Sequence, residues 1–92
     1  MAPAQTVLIV EPVSEVRRIK ERTLERAGYE VVGVGTIAAA LASLVGREVA
    51  LVLLDLPEDR MRWTALDTIR SQDPRIAVIV MQRYPSFEDA VE

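Results

Sequence analysis

The sequence predicts an α/β protein in three layers, a doubly wound parallel sheet with helices on both faces. Three observations predict it. The chain holds apolar runs without polar alternation, Thr6-Val7-Leu8-Ile9-Val10, Val49-Ala50-Leu51-Val52-Leu53-Leu54 and Ile76-Ala77-Val78-Ile79-Val80-Met81, as strands buried on both faces require. Between the runs lie stretches whose apolar residues recur at helical spacing. Gly28, Gly46 and Asp73-Pro74 then punctuate those stretches where helices should stop. Buried strands alternating with helices imply crossover connections, and so a parallel sheet.

Each element follows from its residues. The first strand, Thr6–Val10, ends at Glu11-Pro12, because proline cannot donate to a ladder. Ser14 is the expected N-cap of a first helix, with Val16, Ile19, Thr23, Leu24 and Ala27 as its apolar stripe and Gly28 at C′. Its other face carries Arg17, Arg18, Lys20, Glu21, Arg22, Glu25 and Arg26, a mixed set expected to face solvent. Residues 29–34 form a strand near a sheet edge, given Glu30 and its glycines. Thr36 caps a second helix with Ile37, Ala40, Leu41, Leu44 and Val45 on its apolar stripe, ended by Gly46. The third strand leads into Asp55. A third helix spans about 62–72 with Trp63, Leu66 and Ile69 inward, and 76–81 is the fourth strand. Ser86-Phe87-Glu88-Asp89 resembles a capping box that opens one more helix.

Composition narrows the function. A chain of 92 residues forms one small domain. With a net charge of −3 it has no basic excess to neutralise phosphates, which argues against a nucleic-acid surface. The absence of cysteine excludes disulfides and thiolate chemistry, and the absence of histidine excludes imidazole catalysis, His-metal sites and a phosphohistidine donor role. No apolar run reaches membrane-spanning length, and the N-terminus lacks a basic region before an apolar one. The expectation is a soluble, cytoplasmic domain.

Glu11 and Asp55 both fall at the carboxyl ends of apolar strands, where ligands gather in open α/β sheets. If the two strands are neighbours, two carboxylates converge at one rim. Such hard oxygen donors suit Mg²⁺, and a carboxylate beside that ion can act as the nucleophile in phosphoryl transfer. The alternative is two strand-end residues that simply face water.

Five segments now add up. Val7-Leu8-Ile9-Val10-Glu11, Glu15-Val16-Arg17-Arg18-Ile19, Ala27-Gly28-Tyr29-Glu30-Val31, Leu51-Val52-Leu53-Leu54-Asp55-Leu56 and Ile69-Arg70-Ser71-Gln72-Asp73-Pro74 resemble, in order and spacing, the receiver domain of bacterial response regulators. The resemblance implies a flavodoxin-like sheet of strand order 2-1-3-4-5. It implies a signalling module rather than an enzyme, in which Asp55 corresponds to the phosphoacceptor charged by a histidine kinase or phosphotransfer protein with Mg²⁺. Glu11 corresponds to the first member of the acidic pair that holds the ion.

The sequence also departs from that family. Pro12 stands at the second acidic position, Gln82 where a phosphoryl-sensing hydroxyl is expected, and Arg83 where a small residue is expected. The loop after Asp55 has one apparent deletion and lacks the usual glycine, with Arg62 near its place. The fifth strand, its preceding lysine and the fifth helix are missing, and Lys20, the only lysine, lies on another element. Residues 1–92 thus read as a single incomplete receiver-like domain with a weak or absent Mg²⁺ site. Its runner-up function is a phosphorylation-independent pseudo-receiver. Without a fifth strand the 76–81 strand is an apolar sheet edge, and one face beside the first helix is uncovered. Either the chain is a fragment, or a second copy covers the gap, so self-association is expected.

A rival of another class rests on Gly33-Val34-Gly35-Thr36-Ile37-Ala38, which matches G-x-G-x-x-A between a strand and a helix, with Asp55 ending the next strand. That layout suits a dinucleotide-binding fragment of an oxidoreductase. It leaves the segments before Gly28 and after Asp55 unexplained. Of the remaining residues, Trp63 is expected inside the third helix, and Tyr84 reads as a loop aromatic or a reporter of signalling state beside Gln82.

Overall fold

The computed structural model describes residues 4–81. Seven elements alternate along them: β1 (Thr6–Val10), α1 (Ser14–Arg26), β2 (Glu30–Val34), α2 (Ile37–Leu44), β3 (Leu51–Leu54), α3 (Asp59–Gln72) and β4 (Ala77–Val80). The strands form one sheet in the order β2-β1-β3-β4, and every pairing is parallel. The α/β architecture read from the apolar runs is therefore present, with β2 at an edge as its glutamate and glycine suggested. The expected residues 82–92, including the Ser86 capping box, lie outside the described residues.

Alternation along β1 divides the interior in two. Leu8 and Val10 join Val52, Leu54, Leu56, Ala40, Ala65, Ile69 and Ile76 in one buried cluster beneath α2 and α3. Ile9, on the opposite face, lies under α1 and belongs to no part of that cluster. Its row runs across the sheet through Leu53 to Ile79. Cover fades along the row: Ile9 is buried, Leu53 is half-buried and Ile79 is 47% exposed. The reason is that α1 packs mainly on β1 and β2 and meets β3 only at its margin, through side chains such as Lys20. Among the described residues, no helix packs on the β4 end of that face.

Local signals placed most helix ends. Thr36 accepts a hydrogen bond from the Ala39 amide at 3.1 Å, a side-chain cap of α2. Gly28 follows α1 with φ +98°, a left-handed conformation that favours glycine. Ser14, by contrast, lies inside the first turn and caps nothing. Val13 is the N-cap residue, and its amide donates to Glu11 Oε2 at 3.2 Å. A carboxylate from the end of β1 thus satisfies the N-cap residue's own amide, while no side chain caps the first turn of α1.

Two helices match only in part the faces their apolar residues suggest. Leu24 on α1 is half-buried, and Leu66 and Ile69 on α3 pack on the core as expected, but other positions differ. Val16 and Ile19 on α1 are 39% and 65% exposed, and no residue of α1 is buried. The stripe turned toward the sheet is instead Arg17, Lys20, Glu21 and Leu24, all half-buried, so the charged residues expected in solvent are partly covered. On α3, which begins at Asp59 rather than near 62, the inward residues are Arg62, Ala65 and Ile69. Trp63, expected inside, is 48% exposed because it sits one position past that stripe, about 100° around the helix from Arg62. Arg62 takes the inner position because Leu56 O accepts from its Nη1 at 2.7 Å, and Asp59 pairs with its Nη2. Val45, read as part of the α2 stripe, falls at the C-cap and is exposed.

Candidate functional site

The site is built by strand register. Val10 is paired with Leu54 across β1 and β3, so the next residue of each strand, Glu11 and Asp55, emerges at the same carboxyl rim. The backbone holds both there: Glu11 N donates to Val34 O, and Asp55 N to Val10 O, each at 2.9 Å. The neighbouring strands required by the sequence argument are therefore present, and the two carboxylates do converge.

What lies between them is Lys20. Its Nζ donates to Glu11 Oε1 at 2.9 Å and also to Asp55 Oδ2. The three side chains are shielded to different degrees, with Glu11 1%, Asp55 13% and Lys20 23% exposed. Burial acts to lower the lysine pKa, but the hydrogen bonds and charges of Asp55 and Glu11 outweigh it and hold the ammonium above the ordinary lysine value. Lys20 had seemed to lie on the wrong element to serve the site. The α1 rotation described above corrects that: the sheet-facing stripe carries residue 20 directly over the carboxyl ends of β1 and β3.

Arg17, one turn earlier on the same stripe, closes the arrangement from the side. Its Nη1 donates to Glu11 O at 2.8 Å, and its Nε pairs with Glu21 Oε1 at 3.7 Å. Glycines give these chains room. A Cβ on residue 33 would collide with the Glu21 carboxylate, and one on residue 35 would come within 3.0 Å of Arg17 Nη1. The Gly33-x-Gly35 pair, which had suggested a pyrophosphate loop, thus has a packing use beneath α1.

The donor set can be tested against the Mg²⁺ ion that the family resemblance implies. Mg²⁺ needs near-octahedral oxygen donors at about 2.0–2.1 Å, with several waters retained. Both Glu11 oxygens are committed, one to Lys20 and one to the Val13 amide, and Pro12 contributes no side-chain oxygen. No group of three or more His, Cys, Asp or Glu residues suited to a metal occurs among the described residues. An ion bridging Glu11 and Asp55 would take the place of the Lys20 ammonium. With Lys20 seated, the residues do not fit Mg²⁺.

Sequence reasoning missed Lys20 and Arg17. The available signal was the 17-20-21-24 spacing, which forms a second helical stripe, together with Gly33 as the gap that receives it. Gln82 and Tyr84, the expected phosphoryl-sensing residues, lie outside the described residues. No helix among those described is long and apolar enough to cross a membrane.

No family model matches the chain. It is similar to the DNA-binding transcriptional regulator NtrC of Bradyrhizobium sp. (strain RP501 Parasponia), at 30% identity over 90 residues. That match covers 97% of this chain but spans only 19% of the relative's length. Among solved structures, a CheY-like response regulator receiver domain protein from Methanospirillum hungatei JF-1 superposes with a TM-score of 0.79 at 26% identity, over 96% of this chain and 71% of that one. A LuxR family DNA-binding response regulator from Silicibacter pomeroyi gives 0.72 at 33% identity, over 83% and 62%.

Proposed function

This chain has the receiver fold of response regulators, and from that premise we propose that residues 1–92 act in the cytoplasm as the receiver-like module of a two-component pathway, with Asp55 as the phosphoacceptor. The observation that carries the reading is the convergence of Asp55, Glu11 and Lys20 at the carboxyl rim of β1 and β3. The chain contains no histidine, so the donor imidazole belongs to a histidine kinase or phosphotransfer protein. An Asp55 carboxylate oxygen forms a bond to phosphorus as the phosphorus–imidazole bond breaks. The electron pair of that bond stays on the imidazole nitrogen, and the leaving imidazole takes up a proton from solvent water. Lys20 sets a positive charge beside the incoming phosphoryl oxygens. Mg²⁺ plays a weak part or none, and Gln82 and Tyr84 are the proposed sensors of the phosphoryl group.

The test is intact mass after incubation with a small-molecule phosphodonor, wild type against Asp55→Asn. The expected result is an adduct of one phosphoryl group in the wild type and none in the variant. An adduct that persists in Asp55→Asn, or its absence from folded wild type, would overturn the assignment.

One observation favours a second reading. Lys20 already occupies Asp55, and Pro12 removes an acidic donor, which suits a pseudo-receiver that signals through contacts rather than phosphorylation. The contact would be with a second copy, through the outer strand β4 and the exposed Ile79 and Met81 beside it.

A further inference from the structure

Three cations or acids at the carboxyl rim have roles that the sheet alone does not explain: Lys20 bridges two carboxylates, Arg17 grips the Glu11 carbonyl, and Glu11 is almost fully buried. A buried carboxylate demands a partner, since an unpaired charge away from water is costly. In this chain that partner is covalently attached. We propose that the Lys20 ammonium is the resident counter-cation of the Glu11–Asp55 pair, seated where a divalent ion would bridge them, and that it excludes Mg²⁺ from the site.

The chemistry on the page supports this. An ammonium carries three donors and no acceptor, so one group can serve two carboxylates at once. It delivers its charge without the dehydration that Mg²⁺ resists. The stem of Lys20 lies against the sheet beside Ile9, Leu53 and Met81, which line an apolar groove with it. Its methylenes are thereby packed while its head reaches the carboxylates, the usual division of labour in a long cationic side chain. Glu11 Oε2 is held by the Val13 amide, so Glu11 cannot turn outward to meet a hydrated ion without leaving that amide unpartnered. Removing the ammonium leaves two facing carboxylates with a net charge of −2, which is the arrangement that recruits a divalent cation. Lys20 is in these terms a positioning residue, and the proposal rests on Glu11 and Asp55 being the site, whether or not Asp55 is phosphorylated.

The experiment is a Mg²⁺ titration of the full chain, followed by NMR at the Glu11 and Asp55 amides and side-chain carboxyl carbons. Wild type, Lys20→Met and Lys20→Arg are compared, each with its fold checked by circular dichroism. Lys20→Met is expected to bind Mg²⁺ saturably and at least about tenfold more tightly than wild type, and Lys20→Arg, which keeps the charge, to show no such gain. Wild type supplies an independent reading if Lys20→Met does not fold: millimolar Mg²⁺ should leave the Lys20 side-chain resonances and both carboxyl carbons unmoved. Wild-type binding as tight as that of Lys20→Met, or displacement of Lys20 by millimolar Mg²⁺, would overturn the proposal. A folded Lys20→Met that gains no affinity would do the same. Phosphorylation is read by mass in a separate experiment, so a missing adduct counts against the signalling assignment and leaves this one standing.

Discussion

Lys20 reaches back along α1 to donate to Glu11 Oε1 at 2.9 Å, tying the helix to the residue that ends the strand before it. The same ammonium meets Asp55, 35 positions further along the chain. One side chain therefore joins α1, β1 and β3 at the rim where the candidate chemistry lies.

This junction gives the protein an alkaline limit. The folded-state pKa of Lys20 is raised, so its contribution to stability is fully present below the unfolded lysine value of about 10.4 and is lost as pH rises through the higher folded value. Denaturant melts of wild type and Lys20→Met should therefore differ most below that pH and converge above it. A stability difference that stays constant through the alkaline range would show that the ion pair contributes nothing.

The two helix starts should respond in opposite ways to loss of a hydroxyl. Thr36→Ala removes the oxygen that accepts from the Ala39 amide and should cost about 1 kcal/mol in urea denaturation. Ser14→Ala removes no cap, since Ser14 lies inside the helix after the N-cap Val13 and no side chain caps that start, and should change stability by less than about 0.5 kcal/mol. Equal costs would mean that Ser14 caps α1 in solution.

A similar contrast distinguishes the neighbours Arg62 and Trp63. Arg62 is buried and donates to Leu56 O, so Arg62→Ala strips a buried carbonyl of its partner and should cost about 2 kcal/mol. Trp63 is half outside the fold, and Trp63→Ala should cost less than that. Its fluorescence in the native state should be quenched readily by acrylamide. A shielded tryptophan would show that the α3 phase is different.

The exposed Ile79 at the end of its row sets an expectation for association. Sedimentation of the wild type at rising concentration should show a dimer, and Ile79→Glu should shift it toward monomer, since a charge on an outer strand opposes edge pairing. A clean wild-type monomer at high concentration removes self-association from the proposal.

The fold was largely legible because its signals are local. Unbroken apolar runs such as Leu51–Leu54 have few ways to hide except between two helical layers, and Gly28 and Thr36 mark helix ends by backbone freedom and hydrogen bonding alone. Glu11 and Asp55 were visible for the same reason, as lone carboxylates at the ends of such runs. Where the reading failed, the question was rotational. Helix α1 carries two stripes, an apolar one through Val16, Ile19 and Thr23 and a mixed one through Arg17, Lys20 and Leu24, and periodicity does not say which turns inward. Arg62 and Trp63 pose the same problem on α3, one residue apart.

By itself, then, the sequence determined the alternation of strands and helices and the rim at which two acids emerge, because apolar burial and chain breaking act over a few residues. Only the tertiary structure decided that Lys20 stands between those acids. That outcome depends on the parallel pairing of β1 with β3, on glycines at 33 and 35 that leave room for Arg17 and Glu21, and on the consequent rotation of α1. Those contacts join residues from separate elements, and the local 17-20-21-24 spacing offers a second stripe without deciding that it turns inward.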